Sequence, residues 1–205
     1  MSRHRHCIDY FLFLKSKAQH SMISLEDTIS NINHSREQRG SFANLIHTHP
    51  ELLPELLQIC AKIDDEISCR ASWGLEFLCK KKLEAILPYL DNLIALAPKV
   101  HQHPAVRPIA KIYEYLIIAY YQKKHPKVRQ SLTRIHREHI TETCFDWLIT
   151  DQKVAPKAYS MTSLYLLGTE FDWVHPELKI TLENNYNTGS AAYKARSRMI
   201  LKKIS

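Results

Sequence analysis

A chain of 205 residues with 45% hydrophobic residues and only four glycines is long enough to bury the core of one domain, and it has too few flexible joints for a turn-rich β architecture. So few glycines also disfavour a phosphate cradle, and no P-loop, G-x-G-x-x-G, G-x-S-x-G or H-E-x-x-H occurs, which removes the commonest kinase, dinucleotide and hydrolase chemistries. The formal charge of +7 permits an anionic partner without requiring one, because solvated lysine surfaces give the same balance.

The first stretch, MSRHRHCIDYFLFLKSKAQHSM, pairs basic residues with a short apolar run that Asp9 interrupts, and it lacks a small-residue cleavage site. Residues 1–21 are therefore expected to be a flexible or weakly helical extension, with Met22 as an alternative start, before a single domain over 22–205. No stretch approaches the roughly 20 apolar residues of a membrane span. Cys7, Cys60, Cys69, Cys79 and Cys144 are odd in number, form no C-x-x-C and sit mostly among apolar neighbours. They are expected to be reduced and buried, which places the protein in the cytoplasm.

Beyond the extension the elements fall into helix pairs. An incomplete pair is predicted over 24–47. First helices follow over 49–63, 81–97, 136–150 and 173–186, each with apolar residues at i, i+3, i+4 and i+7. Second helices are predicted over 66–80, 104–121, 153–168 and 190–204, and 122–134 is a long connection with room for an extra helical turn. Pro54 and Pro88 mark starts or kinks within first helices.

Four of the nine prolines directly follow a histidine, and the tetrapeptide H-P-E-L occurs at both 49–52 and 175–178. Proline at the first helical position needs no N–H, and glutamate suits the positive first turn. His-Pro is therefore expected to punctuate helix starts, with His49 and His175 sharing no ligand.

The pairs share a further signal. A polar residue stands six places before a basic one in Asp64/Arg70, His101/Arg107, Asp151/Lys157 and Thr188/Lys194, with a fainter copy in Ser30/Arg36. The basic residues are spaced by 34, 37, 50 and 37 positions, the period of two-helix solenoid repeats. HPAVRPIAK and DDEISCRAS resemble the start of the second helix in the HEAT family of α-helical repeats, whose pattern is D-x-x-V-R-x-x-A. The resemblance implies an all-α, right-handed α-α superhelix of about five pairs. It also implies a hydrogen-bonded ladder between repeats, here through Asp64, Arg70, Arg107, Asp151, Lys157 and Lys194.

In such a solenoid the second helices line the concave face, so Arg70, Trp73, Arg107, Lys111, Tyr115, Lys157 and Lys194 are the candidate binding residues. No catalytic set, metal site or cofactor is expected. The pairs His4/His6 and His136/His139 lack the third ligand that zinc needs. A protein partner is the expected occupant. Nucleic acid is the alternative, because basic residues cluster at 80–82, 123–137 and 194–203 and aromatic residues share their helices.

The repeat pattern and charge also resemble bacterial alkylpurine DNA glycosylases, which implies a catalytic Asp with Trp in the groove. Asp146 beside Trp147 is the nearest match, although it falls on a first helix. Finally, HSREQR, WGLEFLCKKKLE, ETCFDWLI, KAYSMTSLYLLG and HPELK look like short bacterial proteins that carry the label adenylosuccinate lyase. True lyases of that superfamily have a loop resembling S-S-x-M-P-x-K-x-N, and here Ser160 and Met161 lack its lysine and asparagine.

Overall fold

The computed structural model describes residues 24–33 and 35–204, so the predicted 1–21 extension and Cys7 lie outside the described residues. Every regular element among the described residues is helical. The first pair is α1 (Leu25–Ser30) and α2 (Arg36–Thr48), followed by α3 (Leu53–Cys60), α4 (Glu66–Lys81), α5 (Leu90–Leu96) and α6 (His103–Tyr121). Then come α7 (Pro126–Ser131), α8 (Arg134–Ile149), α9 (Val154–Leu167), α10 (Val174–Asn184) and α11 (Ala191–Ile204).

Local chemistry sets most of these boundaries. Ser24 accepts from the Asp27 amide at 3.0 Å while Asp27 accepts from the Ser24 amide at 3.2 Å, a reciprocal cap on α1. Ser35 caps α2, Thr133 caps α8, and Asp65 caps α4. Such a cap contributes about 1 kcal/mol. All four His-Pro prolines lie within two residues of a helix start: Pro50 and Pro126 open their helices, Pro104 is one residue into α6 and Pro176 two residues into α10. Only His49 and His125 occupy the cap itself.

The predicted first helices over 49–63 and 81–97 are more broken than periodicity alone suggests. A 3-10 turn (Pro50–Leu52) precedes α3, and a longer 3-10 segment (Leu83–Tyr89) containing Pro88 precedes α5. Proline removes an N–H from the regular ladder, so the chain tightens through such a segment instead of extending one α-helix.

The second helices α2, α4, α6, α9 and α11 pack side by side in chain order, each against the next. The first helices form the other layer. Because α6 is central, its Val106, Ile109, Ile112, Tyr113, Leu116 and Ile117 are wholly buried. Each such aliphatic side chain contributes about 1.5–3 kcal/mol. The contact of α2 with α4 is so close that a Cβ on Gly74 would lie 2.4 Å from the Phe42 ring. Gly74→Ala is therefore expected to displace Phe42 and destabilise the fold by about 1–3 kcal/mol, read as a lower thermal midpoint.

The 50-residue period is closed by a polar clamp. The long connection carries α7, and just after it Arg137 of α8 donates to Glu170 from Nε at 3.0 Å and from Nη2 at 2.7 Å. Tyr121, at the end of α6, donates to Glu170 at 2.6 Å, and Arg137 Nη1 donates to the Leu132 carbonyl at 2.5 Å. One carboxylate in the turn after α9 thus ties together the end of α6 and the start of α8. Burial works against the Glu170 charge, but its bonds to Arg137 and Tyr121 outweigh this and hold its carboxyl below the ordinary range. Arg137, counted by sequence within a basic cluster, is buried and committed to this clamp.

Cys60, Cys69, Cys79 and Cys144 are buried and unbridged. Burial pushes the Cys60 and Cys144 thiols up to about 12 and raises those of Cys79 and Cys69. In a Cys7→Ser chain, a thiol reagent at pH 8 is expected to label these four at the rate of unfolding, and fast labelling of the native protein would contradict their burial.

Candidate functional site on the second-helix row

The open face of the second-helix row carries the densest chemistry. On α4, Arg70, Trp73, Phe77 and Lys80 recur at i, i+3, i+7 and i+10 and so share one face with Glu76 close by. On α6, Arg107, Lys111, Glu114 and Tyr115 at i, i+4, i+7 and i+8 likewise share one face, and α2 contributes Arg36 and Arg39.

A cleft of about 460 Å³ opens between these three helices. Arg36 and Arg39 form one wall, Trp73, Glu76, Phe77 and Lys80 the floor and one end, and Pro104, Arg107 and Tyr115 the other wall. The Arg39 guanidinium lies 4.6 Å from the centre of the Phe77 ring, with the Lys80 ammonium 5.9 Å from the same ring. Trp73 Nε1 donates to the Pro104 carbonyl at 2.9 Å, which fixes the indole between α4 and α6.

The carboxylates in this region are engaged. Glu76, its side chain 8% exposed, accepts from Arg107 Nη2 at 2.5 Å. Glu114, equally buried, pairs with Lys111, whose ammonium also sits 4.3 Å from the Tyr159 ring centre and 5.1 Å from that of Tyr115. Burial, with the charges of Glu76 and Glu114 among its neighbours, pushes the Tyr115 hydroxyl up to about 12. Burial and the neighbouring Arg107 charge lower the Arg39 guanidinium from its ordinary value. Four cations face one carboxylate in the cleft lining, so the cleft keeps a positive excess.

Of the residues expected on this face, Trp73, Arg107 and Tyr115 line the cleft and Lys111 adjoins Tyr115. Arg70 lies at the N-terminal edge, donating to the Ser30 carbonyl and to Glu66 at 3.2 Å. Lys157 lies apart, in a smaller depression with Lys153, Asn185 and Thr188 between the start of α9 and the turn that joins α10 to α11, and Lys194 lines neither cleft. The expected ladder takes a different route. Asp64 meets exposed His101 at 3.4 Å, Asp151 is exposed in the turn before α9, and Arg107 finds its carboxylate in Glu76, midway along the preceding second helix.

Arg39, Glu76 and Phe77 were not singled out by sequence, and Lys80 entered only through the basic cluster at 80–82. The i, i+3, i+7, i+10 stripe from Arg70 to Lys80 was the available signal for Phe77 and Lys80. Asp146 is exposed on α8, in the other layer, whereas Trp147 is buried against Tyr113 and Trp173 stacks on Phe145. His49 bonds Glu51 at 3.1 Å, and His175 donates from Nε2 to the Tyr165 carbonyl at 2.8 Å, so the H-P-E-L histidines serve separate local roles.

Two stacked layers of short helices, with one row of second helices presenting an open face, define an α-α solenoid scaffold. The family model of the HEAT repeat domain matches residues 27–204, and the chain belongs to that family. No curated protein and no solved structure matches it. No helix among the described residues is long and apolar enough to cross a membrane.

Proposed function

We propose that this protein is a non-catalytic binding module that takes a nucleic acid strand along the open face of its second helices. The observation that carries the reading is the cleft itself: Arg36, Arg39, Lys80 and Arg107 surround the rings of Trp73, Phe77 and Tyr115. Cations that neutralise phosphates, interleaved with rings that stack on bases, are the requirements for sequence-tolerant binding of single strands. An acidic protein segment shares the charge but has less use for three aromatic rings at one cleft, so a protein partner on this face is the second choice.

Trp73 and Glu76 also place an indole and an acid together, the pairing that the glycosylase resemblance implies. Against catalysis stands the 2.5 Å bond that commits Glu76 to Arg107. The test is fluorescence polarisation of labelled single-stranded and duplex DNA at about 50 and 200 mM salt, where a few phosphate contacts predict a steep loss of affinity with salt. Absence of binding at the lower salt would remove the nucleic-acid reading and return the face to a protein partner. The lyase activity suggested by the second resemblance is expected to be absent, so the purified protein should leave the absorbance of adenylosuccinate unchanged.

A further inference from the structure

The layer of first helices carries a feature of opposite charge. A groove of about 550 Å³ runs between α5 and α8, and no lysine or arginine lines it in a chain whose net charge is +7. Its apolar lining includes Ile94, Ala95, Pro98 and Ile135, and its carboxylates are Asp91, Glu142 and Asp146, with His136 and His139 beside them and His139 3.3 Å from Glu142. Ile135 is 64% exposed, a large apolar side chain left in water.

Along α8 the residues Ile135, Glu142, Asp146 and Ile149 recur at i, i+7, i+11 and i+14, so they share one helix face. Ile149, at the far end, is 62% exposed. At 1.5 Å per residue the two isoleucines are about 21 Å apart, the length of a four-turn helix. His136 of α8 reaches Asp91 of α5 at 2.7 Å, which ties together the two helices that flank the groove. The result is an apolar track bordered by carboxylates, formed by helices that the main packing already fixes.

We infer that this groove docks a basic amphipathic helix of a partner protein. Its apolar side chains would cover Ile94, Ala95, Pro98 and Ile135, and its lysines or arginines would meet Asp91, Glu142 and Asp146. The charge decides the occupant: phosphate-bearing ligands and anionic membrane surfaces are repelled by the same carboxylates that attract a basic peptide. The inference stands independently of the nucleic-acid reading, because it uses the opposite layer of the array. Together they describe an adaptor with a basic face and an acidic face.

The probe is a fluorescent 14-residue amphipathic peptide of leucine and lysine, with a leucine and glutamate peptide of the same pattern as control. The lysine peptide is expected to bind the full chain, and the double variant Glu142→Lys, Asp146→Lys should weaken it by about tenfold or more. Ile135→Ser should weaken it without changing its salt dependence, and Arg39→Glu, on the other face, should leave it unchanged. All these side chains are exposed or line clefts, and unchanged thermal midpoints confirm that each variant folds. Equal binding to wild type and the double variant, or equal binding of the glutamate peptide, overturns the inference. Self-association of the wild type that disappears in the double variant also overturns it, by making a second copy of the chain the occupant.

Discussion

Glu170→Ala is expected to destabilise the protein by about 3 kcal/mol, because it leaves the buried Arg137 guanidinium without its counter-charge. Arg137 is 8% exposed in its side chain, and its Nε and Nη2 both point at the Glu170 carboxylate. The hydroxyl of Tyr121 loses the same acceptor. Three segments far apart in sequence meet at this carboxylate, so its removal loosens the end of α6, the start of α8 and the turn after α9 together. Urea unfolding should show a lower midpoint, and Glu170→Gln, which keeps the shape and some hydrogen bonding, should fall between the two.

The same clamp gives stability a defined pH dependence. The Glu170 carboxyl is held below its ordinary value in the folded protein, so the unfolded chain takes up its proton at the higher pH. The clamp's contribution is therefore complete above the unfolded value, near pH 4.3, and is lost as pH falls through the folded value. The stability difference between wild type and Glu170→Gln should be constant from about pH 6 to 8 and shrink below about pH 4. A difference that grew on acidification would contradict the geometry.

Charge reversal at Arg39 and Lys80 is expected to reduce nucleic-acid affinity by at least about tenfold near 100 mM salt and to flatten the salt dependence by about two contacts. These two residues suit the test because both sit over Phe77 at the cleft and the hydrogen-bonded counter-ion of buried Glu76 is another residue. Arg107 does serve as that counter-ion, so Arg107→Ala confounds binding with folding by stranding a carboxylate that is 8% exposed. Trp73→Ala and Phe77→Ala should weaken single-strand binding by about 1–3 kcal/mol each if bases stack there. Affinity that is indifferent to both the charge reversals and the ring deletions would place any nucleic-acid contact elsewhere.

Much of the architecture was legible because it rests on local rules. The apolar stripe of each first helix and the His-Pro starts are short-range signals that a helix reads from its own residues. That Arg70 and Trp73 share a side of α4, and Arg107, Lys111 and Tyr115 a side of α6, follows from the same kind of rule, because side chains three or four places apart lie on one face of a helix. The capping positions were less legible. Asp64 and Asp65 are both able to cap a helix, and only the folded turn selects Asp65.

What sequence could not supply is the pairing of charges between helices. Glu76 looks like one more solvated acid on α4 until α6 brings Arg107 against it, and Arg137 looks like part of a basic cluster until Glu170 arrives from 33 residues away. The cleft arises where α2, α4 and α6 meet, and Lys157 and Lys194 fall outside it although they carry the same repeat signature. Helix existence, pair order and the HEAT period were set by the sequence itself, through local hydrogen bonding and hydrophobic periodicity. The identity of the cleft, the engaged acids and the clamp depended on tertiary structure, because Coulomb attraction and desolvation are set by distances between segments that chain order does not determine.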